Sequence, residues 1–115
     1  MSILASDVIT RAKAIWREAA ADNILTAPNI LLFLSDGVLE LRSVRPDIKR
    51  DSEFNSVDYV DVSGTTQSLP YDVKFRPALV DYLVGRGFQA DANLENHDAR
   101  ANAHMAAFVA KAKGA

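Results

Sequence analysis

The 115 residues contain no cysteine, which excludes a disulfide framework, thiolate metal ligands and a cysteine nucleophile. That absence fits a reducing compartment. No charge of one sign dominates: 13 Lys and Arg stand against 15 Asp and Glu, a formal net charge of -2, so nothing electrostatic favours gripping DNA through its phosphates. Long apolar runs are missing too. The densest, Ile30-Leu31-Leu32-Phe33-Leu34, falls far short of the roughly 20 residues that span a bilayer. The N-terminus lacks a basic region followed by an apolar one, so synthesis in the cytosol without membrane association is expected. No internal repeat or low-complexity segment is present. What is there, 49% hydrophobic and 24% charged residues, describes one ordinary globular domain over residues 1–115, large enough to bury on the order of 65% of the unfolded chain's surface.

Hydrophobic spacing predicts four helices. The first is capped by Ser6 and opens with Asp7, with Val8, Ala12, Ile15, Trp16 and Ala19 on one face and Arg11, Lys13, Arg17 and Glu18 largely on the other. It should stop near Asp22-Asn23. A second starts after Thr26 with Pro28 in its first turn, carries Ile30, Leu31, Leu34, Val38, Leu41 and Val44 with Phe33 widening the stripe, and ends at Pro46. Gly37 in its interior costs about 1 kcal/mol relative to Ala, which points to close approach of a neighbouring backbone. Val57, Tyr59, Val60 and Val62, a Ser63-Gly64 turn and Thr65 to Leu69 read as a β-hairpin over about 55–70. Such a hairpin, marginal alone, must pack on the helices or on a neighbouring chain. Asp72 caps a short turn through Phe75, and Pro77 opens a third helix with Leu79, Val80, Leu83, Val84 and Phe88; Gly85 and Gly87 within it permit close packing. The last helix, about 93–113, is alanine-rich, with Leu94, Ala101, Met105, Phe108 and Ala112 as its stripe. The fold class is therefore mainly α, a four-helix bundle-like domain with a small β-hairpin inserted between helices 2 and 3.

Candidate chemistry is sparse. His97-Asp98 and His104 share roughly one face two turns apart, but they are the chain's two histidines, and structural zinc sites usually need four ligands. A paired His-Asp hydrolase centre lacks its remaining histidines, so surface or interface residues are the better account. Asp36 and Glu40, at i, i+4 spacing, read as a solvated acidic patch near Arg42 or Arg45 rather than an acid/base pair. Ser63-Gly64-Thr65-Thr66 lacks the Gly-x-x-x-x-Gly-Lys pattern of a phosphate loop and reads as a turn. Arg42, Arg45, Lys49 and Arg50, interleaved with Asp47, Asp51 and Glu53, form a mixed-charge rim. Trp16, Tyr59, Tyr71 and Tyr82 read as core or interface anchors. These residues point to neither an enzyme nor a metal or cofactor site.

The order of elements carries a resemblance. Three stretches bear it: Leu34-Ser35-Asp36-Gly37-Val38-Leu39-Glu40-Leu41 running into Val44-Arg45-Pro46-Asp47; Leu69-Pro70-Tyr71 followed by Phe75-Arg76-Pro77-Ala78-Leu79-Val80-Asp81-Tyr82; and Gly87-Phe88-Gln89-Ala90-Asp91 with Asn96, Arg100, Ala101, His104 and Phe108. Together they resemble the head-to-tail adaptor (connector, head-completion) proteins of tailed bacteriophages, although Gly37 and Gly85 stand where a small or aromatic residue is more usual.

The resemblance implies a structural virion protein of the head-tail neck, made in the host cytoplasm. It would form a dodecameric ring beneath the portal, extend the channel through which DNA passes without specific binding, and dock a tail or stopper (nozzle) protein. Its partners would be the portal protein, the tail or stopper protein and neighbouring copies. Under this reading His97, Arg100, His104, Phe108, Lys111 and Lys113 of the last helix meet the portal or a neighbouring subunit, and Tyr59 and Val60 of the hairpin meet the next subunit or tail. Deleting residues 106–115 should then abolish portal attachment and leave the fold cooperative. The alternatives are a small helical dimeric interaction or regulatory module, and a metal-dependent hydrolase centred on His97, Asp98 and His104.

Overall fold

The computed structural model describes residues 2–19, 27–49, 62–64, 66–90 and 97–115, with the backbone alone at positions 2, 16–19, 27–29, 49, 70, 90, 97 and 98. Its elements run β1 (Ser2–Leu4), α1 (Ala5–Ala19), α2 (Ala27–Val44), a 3-10 turn (Pro46–Lys49), β2 (Ser68–Asp72), a second 3-10 turn (Val73–Phe75), α3 (Arg76–Ala90) and α4 (His97–Gly114). The class is mainly α, with four helices and a small antiparallel sheet at the connection between α2 and α3.

In that sheet β2 pairs with β1. Ile3 faces Leu69 and Leu4 faces Ser68, an irregularity follows at Ser2, and Ala5 N–H extends the ladder to the Gln67 carbonyl at 3.0 Å. Of the other arm expected of the hairpin, 57–62, positions 57–61 lie outside the described residues and Val62 is not in a strand. The expected turn at Ser63-Gly64 is present: Gln67 N–H donates to the Gly64 carbonyl at 3.3 Å, and the Gln67 side chain accepts from Ser63 N–H at 2.9 Å.

Helix α1 begins one residue before the expected cap, so Ser6 lies within it rather than at its boundary. Val8, Ile9 and Ala12 are buried while Ile15 stays at the surface, 37% exposed. Trp16 falls among the positions described by backbone alone. Helix α2 buries Ile30, Leu34, Val38 and Leu41 and half-buries Leu31, Phe33 and Val44, a 3.6-residue stripe as the spacing predicts. Buried Ser35 accepts from Val62 N–H at 2.8 Å, fixing the start of the segment that leads to β2.

The second 3-10 turn follows the sequence reading. Asp72 caps it by accepting from Lys74 N–H at 3.1 Å, and Pro77 stands in the first turn of α3, where a missing amide costs nothing. Buried on nearly every side, with Ala78, Leu79, Val80, Tyr82, Leu83, Val84 and Phe88 all in the core, α3 is the central element. It packs against α1, α2 and, most extensively, α4. A helix that is buried on most of its faces belongs at the middle of a domain. From α4, Ala101, Phe108 and Ala112 are buried and Met105 packs against them. The described helix starts at His97; the expected start, residues 93–96, lies outside the description. No helix among the described residues is long and apolar enough to cross a membrane.

Candidate functional site

The polar groups gather where helices meet, three clusters along α3 and one between the ends of α2 and α4. On α2, Gly37 makes room for a ring rather than for the expected backbone. A methyl group on Gly37 would lie 2.7 Å from Tyr82 Cδ1 and 3.2 Å from Cε1. Tyr82 sits edge-on to Phe108 of α4, with centroids 5.1 Å apart and planes at 64°. Its hydroxyl accepts from Arg86 Nη1 at 2.8 Å, and the same nitrogen donates to Asp36 Oδ2 at 3.1 Å. The Arg86 guanidinium lies over the Phe33 ring at 4.8 Å. Burial pushes the Tyr82 phenol above its usual range, with the Arg86 hydrogen bond working against that shift.

Asp36 therefore finds its partner on α3. The expectation that Asp36 lies near Arg42 or Arg45 is corrected: its ion pair is with Arg86 on the neighbouring helix. Glu40, Tyr82, Arg86, Met105 and Phe108 line a groove of about 290 Å³ between α2, α3 and α4.

Between α3 and α4 the joint is ionic. Asp81, 6% exposed, accepts from His104 Nδ1 at 2.8 Å through one oxygen and from Lys111 Nζ at 2.5 Å through the other. A buried carboxylate is tolerable when both oxygens are so engaged. The His104 ring stacks on Phe88, centroids 5.8 Å apart, and the Arg100 guanidinium lies 5.8 Å from the same ring. A methyl group on Gly85 would lie 3.1 Å from Met105 Cε and 3.3 Å from His104 Cβ, so the small residue lets α4 lie close, as expected.

The third cluster centres on Arg45. Its Nε and Nη2 form a two-pronged pair with Asp47 at 2.9 and 2.8 Å, while Nη1 donates to the carbonyls of Ala112 at 2.7 Å and Ala115 at 2.6 Å. The last carbonyls of a helix have no partner within it, and a guanidinium aimed at them satisfies both hydrogen bonding and the helix dipole. Arg45 also lies 5.4 Å from the Phe75 ring, which meets Tyr71 edge-on, and the Tyr71 hydroxyl donates to the Val38 carbonyl at 2.8 Å. The Arg45 hydrogen bonds hold the Asp47 carboxyl below its usual range. The rim expected around Arg45 is thus, at that residue, a clasp from the end of α2 to the end of α4.

A fourth contact joins α1 to α3. Asp7 accepts from Arg76 Nη1 at 2.7 Å and from Arg11 Nε at 3.2 Å. Burial opposes ionisation of Asp7, but these two guanidinium groups outweigh it and hold the carboxyl low. Arg11, Ile15, Arg76, Val80 and Lys111 border a second groove, of about 230 Å³.

Of the residues singled out as contacts, His104 and Lys111 are paired with Asp81 inside the chain, and Phe108, 1% exposed, is a core residue packed on Tyr82 rather than a free anchor. Arg100 and Lys113 are exposed. His97 is described by its backbone alone, and Tyr59 and Val60 lie outside the described residues. Burial of Phe108 and Ala112 and the Arg45 clasp argue against the expectation that the fold stays cooperative without residues 106–115. Among the described residues no group of three or more His, Asp or Glu is placed to hold a metal ion.

Asp81 and Arg86 were missed from sequence, although a lone carboxylate in Leu79-Val80-Asp81-Tyr82-Leu83-Val84 was a legible signal of a buried polar contact. No family model, curated protein or solved structure matches the chain.

Proposed function

We propose that the chain is a structural component of a tailed-bacteriophage neck, an adaptor that assembles as a ring beneath the portal, extends the DNA channel and docks the tail. Such a part works by being held rigid between neighbours. The observation that carries the reading is the Arg45 clasp: it ties the Arg45-Pro46-Asp47 element, in the first stretch of resemblance, to the end of the helix that carries the last. The middle stretch supplies β2 and the first half of α3, the last stretch supplies the end of α3 and α4, and α3 packs against both α2 and α4. The polar clusters described above each join one helix to another, which suits a mechanical role. A net charge of -2 suits a channel wall past which DNA slides without sticking.

Quantitative mass spectrometry of purified particles of the phage encoding the chain tests this. A copy number equal to that of the portal protein is expected. Absence from the particle, together with a closed dimer in solution, would favour the small interaction module instead.

A further inference from the structure

The groove between α2, α3 and α4 sets an apolar floor beside polar groups with bonding capacity to spare. Phe108, Met105 and Val109 form the floor, and a volume of about 290 Å³ suits a ligand of metabolite size. Arg86 stands on the α3 wall. Its Nη1 donates to both Tyr82 and Asp36, whereas its Nε and Nη2 donate to no group among the described residues. The same two nitrogens of Arg45 grip the Asp47 carboxylate at 2.9 and 2.8 Å. This edge of a guanidinium is shaped to take a carboxylate through two parallel hydrogen bonds, so Arg86 brings an unused carboxylate-binding edge to the groove. Gln89, one turn further along α3, adds an amide.

The α2 wall has the opposite character. Glu40 is exposed and forms no ion pair among the described residues. Its charge reaches the Tyr82 hydroxyl: burial pushes that phenol up, the Arg86 hydrogen bond pulls it back, and the charges of Asp36 and Glu40 add to the rise. Arg42, two residues on, projects about 160° away round the helix and does not border the groove. On α4, Lys111 borders the other groove and Lys113 borders neither. With Asp36 already neutralising Arg86, Glu40 leaves the site negative. A plain carboxylate on the Arg86 edge would be repelled by Glu40, and a plain amine on Glu40 would leave that edge unused. A ligand that satisfies both walls carries an ammonium and a carboxylate together, with an apolar body for the floor.

We propose that this groove binds a small apolar α-amino acid, its carboxylate on the Nε and Nη2 edge of Arg86, its ammonium on Glu40 and its side chain against Met105, Phe108 and Val109. The ligand bridges α2 and α3 and adds to the contacts that join them. Such binding needs neither a neighbouring copy nor a portal, so it stands apart from the adaptor reading.

A titration of the isotopically labelled full chain with L-leucine, followed by nuclear magnetic resonance of its backbone amides, tests this against two single-ended analogues: isocaproate, which lacks the ammonium, and isoamylamine, which lacks the carboxylate. Leucine should give saturable shifts at residues bordering the groove with a Kd of about 1 mM or lower, and each analogue should bind about tenfold or more weakly. Glu40→Gln should weaken leucine about tenfold and leave isocaproate no weaker. Val109→Trp fills the floor and should abolish the shifts. Equal thermal unfolding checks the fold of each variant; if Val109→Trp fails to fold, Gln89→Trp, at an exposed position, blocks the groove from the opposite wall.

The absence of saturable shifts at about 10 mM leucine would overturn the proposal. So would leucine shifts that persist with the groove filled, or a leucine affinity unchanged by Glu40→Gln. Isoamylamine binding as tightly as leucine would show that the Arg86 edge takes no part, and isocaproate doing so would show the same of Glu40; either result overturns the assignment of a two-ended ligand.

Discussion

A methyl group added at Gly37 would meet the Tyr82 ring at 2.7 Å, whereas one added at Gly85 would meet the end of the Met105 side chain at 3.1 Å. Both glycines lie inside helices at crossings with α3, yet the neighbours differ in what they can do. Tyr82 is held at its edge by Phe108 and at its hydroxyl by Arg86. Met105 is a flexible thioether, half-buried along the groove that Tyr82 and Phe108 also line. The α2 side of α3 is thus fixed by shape, and the α4 side by charge with some freedom to adjust.

Among single substitutions, removing the ring on which the first contact leans should have the largest effect. Phe108→Ala leaves a cavity beneath Tyr82 and should cost about 3–5 kcal/mol, read as a lower urea midpoint with an unchanged slope. Deleting residues 106–115 should go further and abolish cooperative unfolding, since Phe108 and Ala112 leave the core and Arg45 loses its carbonyl partners. A truncated chain that still unfolds cooperatively near the wild-type midpoint would mean that α4 contributes little to the fold.

Gly37→Ala should come next. Overpacking a fixed ring costs about 1–3 kcal/mol, against which the better helix propensity of Ala returns about 1 kcal/mol. The comparison sharpens in a double-mutant cycle with Tyr82→Leu: the Gly37→Ala penalty should largely vanish when the ring is gone. A penalty that persists in Tyr82→Leu would place its origin in the helix backbone and dissolve the contrast with Gly85. At Gly85 the same substitution should fall within about 1 kcal/mol of neutral, because Met105 can move while the propensity gain remains. A large loss there would show that His104 Cβ, 3.3 Å away, fixes that crossing as firmly as Tyr82 fixes the other.

The helices, the stripe of α2, the Asp72 cap and the place of Pro77 were legible because each depends on neighbours within a turn or two along the chain. The partner of β2 was not, since nothing local distinguishes Ser2–Leu4 as a strand, and the two paired segments are more than 60 residues apart along the chain. Long-range polar contacts were illegible for the same reason. Arg45 reads as one cation in a mixed run, and only the fold brings it to carbonyls 67 and 70 residues away. Asp36 has Arg42 and Arg45 nearby in sequence, yet its partner is Arg86, 50 residues on. Phe108 was correctly placed on the apolar stripe of α4 and wrongly offered as an external anchor, because a stripe shows that a face is covered without showing by what.

The contact between α1 and α3 supplies the control for the ionic side of the comparison, since it is made of charges at the surface. Asp7 is held below its unfolded value by Arg76 and Arg11, despite an opposing effect of burial. A carboxyl with a depressed folded pKa contributes stability above its unfolded value near 3.9, and loses that contribution as pH falls through the folded value. Asp7→Asn should therefore melt slightly below the wild type at pH 6 to 7, and the two curves should converge as the pH is lowered below about 4. The gap should also narrow in about 1 M salt, where exposed pairs are screened over roughly 3 Å. A gap unchanged from pH 7 to pH 3 would mean that Asp7 acts through packing or helix capping rather than through its charge, and the α1 contact would then belong with the shape-determined side of α3.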